Sequence, residues 1–208
     1  MTYIHSKGAE MNAIEKLAKK IGIVSIKDLR KLGLHPEKLR KLVLAGKMIR
    51  LDRGLYRLAD QDWDFHDSLA IVAKAQPEAV ICLSSALFYH QIGTQMPHEI
   101  WIALPRGRLR PPKLETLSIR VFRYSPKTLV SGIDEASISG VKVRITSPAR
   151  TIADCFKFRN KIGLDIALEA LREGWRRKRF TVDELTAQSR ICRVEHLMAP
   201  YVETTVVS

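Results

Sequence analysis

A group of basic side chains between residues 35 and 57 has the chemistry to bind a polyanion. Its members carry guanidinium, ammonium or imidazole groups: His35, Lys38, Arg40, Lys41, Lys47, Arg50, Arg53 and Arg57. Arginine and lysine hydrogen-bond to guanine O6 and N7 in the major groove and to phosphate oxygens along the backbone. Base contacts carry sequence information, whereas phosphate contacts supply affinity that falls with salt. The chemistry predicted for this group is therefore nucleic-acid binding.

The segment before this group has the pattern of two short helices. Over residues 11–21, apolar side chains recur with the spacing i, i+3, i+4, i+7, which places them on one helix face, and Gly22 ends the helix. Ser25 is a residue type favoured at helix N-termini, and it is expected to cap a second helix over residues 26–32, which Gly33 ends. Two such helices joined by a short turn are typical of a helix-turn-helix motif.

A third helix and a hairpin carry the basic group itself. Pro36 suits the first turn of a helix that runs to about Ala45, because proline lacks an N–H that would be unpaired there. Two short apolar runs, residues 48–51 and 55–58, flank a turn that contains Gly54, which indicates a β-hairpin. Three helices followed by a hairpin predict a winged helix-turn-helix, in which the third helix enters the major groove and the hairpin meets the adjacent backbone.

The excess positive charge is concentrated in the same segment. The chain of 208 residues contains 35 Lys and Arg against 22 Asp and Glu, for a formal net charge of +13. Residues 1–59 hold +9 of this charge, and residues 60–208 hold only +4. The short acidic stretch 60–64 lies between them, so we expect a DNA-binding domain over 1–59 and a second domain over 60–208. The alternative is that these cations are merely the solvated faces of ordinary helices.

Composition and cysteine number limit the class of protein. Hydrophobic residues make up 46% of the chain, which suffices for a packed core and excludes a disordered polymer. No apolar run is long enough for a membrane span and the first residues lack the apolar part of a signal peptide, so we expect a cytoplasmic protein. Cys82, Cys155 and Cys192 are far apart and predict neither a disulfide framework nor a metal clip.

The region from residue 60 onward is predicted to form a small mixed sheet backed by helices. Helical patterns cover residues 65–76, 84–90, 147–158, 164–175 and 182–190. A short apolar run covers residues 79–83, and three strand candidates cover residues 99–104, 117–124 and 141–145. The predicted fold class is therefore α+β, with an N-terminal winged helix-turn-helix followed by a small mixed-sheet domain with C-terminal helices.

Three segments of the chain carry a joint resemblance to a known family. They read RLDRGLY at residues 50–56, LSSAL at 83–87 and ITSPARTIAD at 145–154. Together they resemble the AbiEi family of antitoxin-type transcriptional regulators from bacterial abortive-infection toxin–antitoxin systems, over about residues 11–190. The resemblance implies a DNA-binding domain that represses its own operon. A pseudo-palindromic operator would indicate a dimer on DNA, or two copies bound side by side. The resemblance also implies a C-terminal domain needed to neutralise a nucleotidyltransferase-like toxin encoded nearby, through direct or indirect contact.

A second set of basic residues is a candidate for contact with phosphate or with an acidic partner. Its members are Arg106, Arg108, Arg110, Arg150, Arg176, Arg177, Lys178 and Arg179. For Arg150 a structural role is favoured, because it can pair with Asp154 four residues along a helix that Ser147 caps. Residues 176–179 follow a predicted helix, where the helix dipole favours cations, so these also have a structural alternative.

Signals of catalysis and of metal binding are weak in this sequence. No Asp or Glu stands two positions before a Lys, and neither an HExxH motif nor a GxxxxGK phosphate loop occurs. Asp134 and Glu135 follow Gly132 and are expected in a turn, and Cys155 falls on an apolar helix face. The sequence therefore predicts no enzyme, no cofactor and no metal site. The predicted function is a DNA-binding repressor that acts as an antitoxin; the alternatives are a module that binds an acidic toxin directly, and a nuclease.

Overall fold

Two compact units make up the structure, a computed structural model that describes residues 2–60, 64–107 and 109–207, with side chains for 10–60, 64–107 and 109–206. The first unit contains Met1–Pro77, Pro112–Leu117 and Ser137–Val143. The second unit contains Glu78–Pro111, Ser118–Ala136 and Arg144–Ser208. Most of the acidic stretch 60–64, and Arg108, lie outside the described residues. The division of the chain at residue 59 into two functional domains stays a prediction.

The first unit contains a winged helix-turn-helix. Its helices are α1 (Thr2–Ile21), α2 (Ile26–Lys31), α3 (Glu37–Leu44) and α4 (Phe65–Ala75), and its strands are β1 (Val24–Ser25), β2 (Met48–Asp52) and β3 (Leu55–Leu58). Strand β3 lies in the centre of the sheet and pairs antiparallel with both β1 and β2. The three predicted helices and the hairpin are confirmed. Strand β1 was not predicted, because two residues are too few to show an alternating pattern.

Local signals in the sequence determine where these elements begin and end. At the start of α2, the Ser25 hydroxyl accepts a hydrogen bond from the N–H of Asp28 at 3.2 Å, and the Asp28 carboxylate accepts one from the N–H of Ser25 at 2.9 Å. Gly54 takes φ = +77° in the turn between β2 and β3, a region that favours glycine. Gly22 ends α1 at φ = +66°, and a Cβ there would collide with the carbonyl oxygen of Ser139, so this position needs glycine on two grounds.

The core of the first unit fixes the orientation of α3. Its buried apolar side chains are Ile14, Ala18, Val24, Leu29, Leu39, Leu42, Met48 and Leu58. Helix α3 supplies Leu39 and Leu42, each fully buried and contributing about 1.5–3 kcal/mol relative to an exposed side chain. Because these two lie on one face of an eight-residue helix, the opposite face is turned to solvent.

The second unit is built around a mixed five-stranded sheet with the strand order β6-β5-β4-β8-β7. Its strands are β4 (Val80–Ile81), β5 (Ile100–Pro105), β6 (Ile119–Tyr124), β7 (Ile133–Ile138) and β8 (Val141–Thr146), of which residues 137–143 group with the first unit. Strand β4 pairs antiparallel with β5 and parallel with β8, and β5 pairs parallel with β6. The predicted α+β fold class is confirmed.

Six helices and a short 3-10 helix accompany this sheet. The helices are α5 (Leu83–Tyr89), α6 (Pro148–Lys157), α7 (Arg159–Ile162), α8 (Leu164–Arg176), α9 (Val182–Cys192) and α10 (Glu195–Val207), and the 3-10 helix is Pro126–Leu129. Helix α6 lies in the core and contacts α5, α8 and α9. Cys82, Cys155 and Cys192 are buried free thiols. Among the described residues, no helix is long and apolar enough to cross a membrane.

The prediction of a turn at Asp134 and Glu135 is wrong, because both residues lie in strand β7. Their side chains are exposed, whereas Ile133, Ala136 and Ile138 are half-buried. Strand β7 is at the edge of the sheet, where charged side chains are common because they discourage pairing with other chains. The strand was not predicted, because two adjacent acidic residues shortly after a glycine are typical of a turn.

Candidate nucleic-acid interface

Helix α3 presents a mixed basic and apolar face to solvent. Arg40, Lys41 and Leu44 are exposed, and Leu44 exposes 78% of its surface, an unusual value for a large apolar side chain. Residues 37, 40, 41 and 44 are three or four apart, so they share this face. Arg40 has no carboxylate within ion-pair distance among the residues whose side chains are described, and Lys41 lies 3.9 Å from Glu37. The outer face of α3 therefore has cations available for a ligand.

Lys38 does not belong to that face. Its side chain is only 24% exposed, and its ammonium group forms an ion pair with Glu10 of α1. The position lies next to the buried face formed by Leu39 and Leu42. Of the three cations predicted to enter a groove from α3, the fold therefore brings Arg40 and Lys41 to the surface and turns Lys38 towards α1.

His35 has a local structural role at the start of α3. Its Nδ1 accepts a hydrogen bond from the N–H of Glu37 at 3.3 Å. Pro36 occupies the N-cap position and has no side-chain acceptor, so the imidazole supplies the capping contact instead. The His35 side chain is exposed at the entrance of the helix, where the sequence predicts it.

A buried carboxylate that the sequence analysis did not single out holds the turn of the wing. Asp52 is only 2% exposed, and its carboxylate accepts hydrogen bonds from the N–H of Arg53 (2.6 Å), the N–H of Glu115 (2.8 Å), and the N–H (3.0 Å) and hydroxyl (2.9 Å) of Thr116. Burial alone raises the pKa of Asp52, but these donors outweigh it and lower the pKa below the usual value. The donors at residues 115 and 116 follow Asp52 by more than 60 positions, so no sequence pattern pointed to them.

The other cations of the predicted interface differ in how far they are already paired. Lys47 Nζ lies 2.8 Å from Glu15 Oε1, and Arg50 Nη2 lies 3.0 Å from Glu115 Oε2, with both basic side chains about half exposed. Exposed pairs of this kind contribute about 0–1 kcal/mol, so a phosphate can replace the carboxylate at little cost.

Arg53 and Arg57 lie on the same hairpin in different environments. Arg53 is exposed, with no carboxylate at ion-pair distance in the described part of the chain, whereas Arg57 is half-buried and donates from Nη1 to the carbonyl oxygen of Leu58 at 2.9 Å. Among the wing arginines, Arg53 is therefore the one most accessible to a phosphate. Helix α2 adds Lys27 and Arg30, which are also exposed and were not in the predicted set.

Arg150, a candidate for phosphate or partner contact, has no exposed side-chain surface. Its Nε lies 3.0 Å from Asp154 Oδ2, and its Nη1 donates to the carbonyl oxygen of Ser131 at 2.7 Å. Asp154 also accepts hydrogen bonds from the hydroxyl of Tyr124 at 2.8 Å and from the thiol of Cys192 at 3.2 Å. Burial lowers the pKa of Arg150, but the charges of Asp154, Cys192 and Tyr124 and the hydrogen bond to Asp154 together raise it by more. The geometry favours the structural role, because this guanidinium is enclosed by protein.

The other described cations of the second set lie on the surface of the second unit. Arg106 and Arg110 are exposed in the loop after β5, and Arg108 lies outside the described residues. At the end of α8, Arg176 lies 3.8 Å from Glu173, and Arg177 Nη1 donates to the carbonyl oxygen of Gln91 at 2.7 Å. Lys178 and Arg179 are exposed beyond them. Within residues 10–60, 64–107 and 109–206, no group of three or more His, Cys, Asp or Glu side chains could hold a metal ion.

Comparisons with known proteins agree with this description of the first unit. Residues 12–59 match the family model described as "Transcriptional regulator, AbiEi antitoxin". The crystal structure of the RV2827C protein from Mycobacterium tuberculosis is similar in fold, with a TM-score of 0.57 at 12% identity over 95% of this chain and 77% of that chain. No curated protein gives a match. The resemblance to the AbiEi antitoxin transcriptional regulators is thus confirmed over residues 12–59, the segment that carries every basic side chain of the predicted interface.

Proposed function

We propose that this protein is a DNA-binding transcriptional repressor that acts as the antitoxin of a toxin–antitoxin operon. The observation that carries the proposal is the solvent-facing side of α3, where Arg40 has no carboxylate partner among the described side chains and Lys41 is only weakly paired. This face lies within the segment that matches the family model. A helix of eight residues is about 12 Å long, and a B-DNA major groove is wide enough to admit it.

The exposed face of α3 has side chains suited to three kinds of base contact. Arg40 and Lys41 match the acceptors of guanine, and the Glu37 carboxylate matches the N4 amino group of cytosine. Leu44 offers an apolar surface to the methyl group of thymine, and this contact would bury a side chain that is 78% exposed in the free protein. Each well-placed polar pair discriminates between bases by about 1–3 kcal/mol.

The wing supplies affinity that does not depend on sequence. Arg53 is exposed beside the Asp52 carboxylate, which fixes the turn through four hydrogen bonds. A rigid turn lowers the entropy lost when the arginine engages a phosphate. Lys47 and Arg50 can join it once they exchange Glu15 and Glu115 for phosphate.

The proposed cellular role is repression of the protein's own promoter and neutralisation of a nucleotidyltransferase-like toxin. The family match supports the general role of an antitoxin-type regulator. Autoregulation and the identity of the toxin rest on the resemblance alone. We expect no catalytic turnover and a cytoplasmic site of action.

The test is binding of the full chain to the promoter DNA upstream of its own gene, measured by fluorescence anisotropy. The double variant Arg40→Ala/Lys41→Ala should bind about tenfold to a hundredfold more weakly, because two base contacts are lost. The matched control Arg172→Ala/Lys161→Ala removes the same charge from exposed positions of the second unit and should bind normally. Equal affinity of all three proteins would exclude α3 as the reading helix.

A separate measurement addresses the direct-binding alternative. The protein is co-expressed with the product of the neighbouring gene, and the pair is purified in about 1 M salt, where exposed charge pairs are strongly screened. Recovery of both chains together would favour direct capture of the toxin. Recovery of this chain alone, with toxin production reduced only when the promoter is intact, would favour control at transcription.

A further inference from the structure

A second basic site lies in a cavity of about 570 Å³ that belongs entirely to the second unit. Six of its described lining residues are cations: Arg106, Lys127, Lys157, Arg159, Arg190 and Arg193. None of the described lining residues is an Asp or a Glu. Only Arg106 belongs to the sets singled out from the sequence, so the cavity as a site was not anticipated.

Separate elements of the fold bring these cations together. Arg106 follows β5, and Lys127 lies on the 3-10 helix that comes after β6. Lys157 is in the last turn of α6, and Arg159 begins α7. Because the contributors span almost ninety positions of sequence, their convergence is a property of the tertiary structure and shows no sequence motif.

The end of α9 also lines the cavity. Arg190 lies in the last turn of α9 and pairs with Glu195 at 2.8 Å. Arg193 follows the helix in the left-handed region, at φ = +60°. Cys192 lies between them, and burial together with the charge of Asp154 raises the pKa of its thiol to about 12. The thiol is therefore neutral at pH 7 and does not offset the positive charge of the cavity.

Ordinary helix electrostatics explains part of this set. Lys157 and Arg190 lie in last turns, where the helix dipole favours a cation. The same argument does not apply to Arg106, which is in a loop, or to Lys127, which is on a four-residue 3-10 helix. Like charges gathered around one cavity repel each other, so an anion that binds there relieves an unfavourable interaction as well as forming new contacts.

We infer that this cavity binds a small anion that carries several phosphate groups. A volume of about 570 Å³ lies in the range of small-molecule sites. Guanidinium groups bind phosphate through paired, charge-assisted hydrogen bonds, and four of the six cations are arginines. No described lining residue is aromatic, so there is no ring on which a nucleobase would stack, and recognition falls on the phosphates.

Duplex DNA fits the cavity less well than such a ligand does. A sphere of this volume is about 10 Å across, whereas the major groove of a duplex is by itself about 12 Å wide. A duplex would therefore touch the rim of the cavity without entering it. The cavity residues lie outside the proposed DNA interface, so binding of phosphates in the cavity and binding of DNA by the first unit can be disproved independently.

The test is calorimetric titration of the full chain with inorganic triphosphate at about 0.1 M salt. The variant Lys127→Gln/Lys157→Gln removes two exposed cations, and its Kd for triphosphate should rise about tenfold or more. The control Arg172→Gln/Lys161→Gln changes the net charge equally outside the cavity and should keep the wild-type Kd. A nucleoside triphosphate should bind with a similar Kd, because the base has no partner; a much tighter Kd would identify a nucleotide as the source of the phosphates.

Thermal unfolding provides a second measurement that does not depend on the variant's affinity. Triphosphate should raise the Tm of the wild-type chain more than sulfate does at equal ionic strength. Without ligand, Lys127→Gln/Lys157→Gln should unfold at a higher temperature than the wild type, because charge repulsion is reduced. Absence of triphosphate binding at millimolar concentration, or equal loss in both variants, would overturn the inference. So would a loss of operator affinity in Lys127→Gln/Lys157→Gln as large as its loss for triphosphate, which would make the cavity a DNA contact.

Discussion

Helices α3 and α6 begin alike and use their arginines in opposite ways. Pro36 precedes α3 and Pro148 begins α6, and each helix has an arginine within its first four residues. Arg40 of α3 is exposed and has no carboxylate partner in the described part of the chain. Arg150 of α6 is fully buried, with Asp154 at 3.0 Å.

Neighbouring elements account for this difference. Helix α3 packs its Leu39 and Leu42 face into the small core of the first unit and leaves the other face to solvent. Helix α6 is in contact with α5, α8 and α9, and its residues 149–156 are all buried. Residue type and position in the helix are therefore poor guides to whether an arginine can reach a ligand. Whether an arginine can reach a ligand depends more on how many sides of its helix are covered by neighbouring elements.

The largest effect that would test this comparison is the loss of Arg150. Arg150→Ala leaves the Asp154 charge buried without its cation, which should lower the free energy of unfolding by about 3–5 kcal/mol in a urea titration. Arg40→Ala, the matched change on an exposed helix face, should alter it by no more than about 0.5 kcal/mol. If both variants lose similar stability, the contrast between a structural and a ligand-binding arginine is wrong.

A second test asks whether burial, rather than the region of the molecule, decides the role of a charge. Asp52→Asn replaces a buried acceptor of the first unit by a group that cannot accept all four hydrogen bonds, and it should cost about 1.5–3 kcal/mol of stability. Promoter affinity should also fall, because the wing turn is no longer held. Asp134→Asn, on the exposed side of β7, serves as the control and should be close to neutral in a urea titration.

Acid should weaken the first unit through the same carboxylate and through Asp28. Burial raises the pKa of Asp28, but hydrogen bonds from Lys74 and Ser25 outweigh it, so the pKa of Asp28 is lowered, as is that of Asp52. A lowered folded-state pKa stabilises the folded chain above the unfolded value of 3.8, and this contribution is lost as the pH falls through the folded pKa. Urea titrations from pH 6 to pH 3 should therefore show decreasing stability, and Asp52→Asn should show a shallower decrease. An identical pH profile in the variant would contradict the assignment.

The smallest expected effect is a change in the salt dependence of promoter binding, which distinguishes the accessible Arg53 from the paired Lys38. Arg53→Gln should reduce the slope of log Kobs against log salt for promoter binding by about 0.9, because one phosphate contact is lost. Lys38→Gln should leave the slope unchanged, since its ammonium group is held by Glu10. A larger change of slope for Lys38→Gln than for Arg53→Gln would reverse the assignment of the two residues.

Features that depend on neighbouring residues in the sequence were predictable. Ser25 as an N-cap, Gly22, Gly54 and the spacing of apolar residues in α1 each act over a few positions, so they predict the helices and the hairpin from sequence alone. Helix α10 was missed because it contains Pro200, and helix propensity argues against a proline inside a helix.

The ion pairing and the burial of the candidate-site residues were less predictable than their positions in the sequence. The cations could be identified from the sequence, but their partners could not. The carboxylates that form ion pairs with Lys38, Lys47 and Arg50 lie 28 to 65 positions away in the chain. The pairing of Arg150 with Asp154 follows from their spacing, yet their burial depends on helices elsewhere in the sequence. Contacts over such separations leave no local pattern.

The parts of the first unit are synthesised at different times, because the unit is assembled from three separated stretches of chain. These stretches end at Pro77, Leu117 and Val143. Translation at about 5–20 residues per second delivers the third stretch several seconds after the first. Until the second stretch has been made, Asp52 lacks its hydrogen-bond donors at residues 115 and 116. The segment that matches the family is thus made first and completed late, and a fragment that stops at residue 59 would carry the motif without the residues that hold its wing.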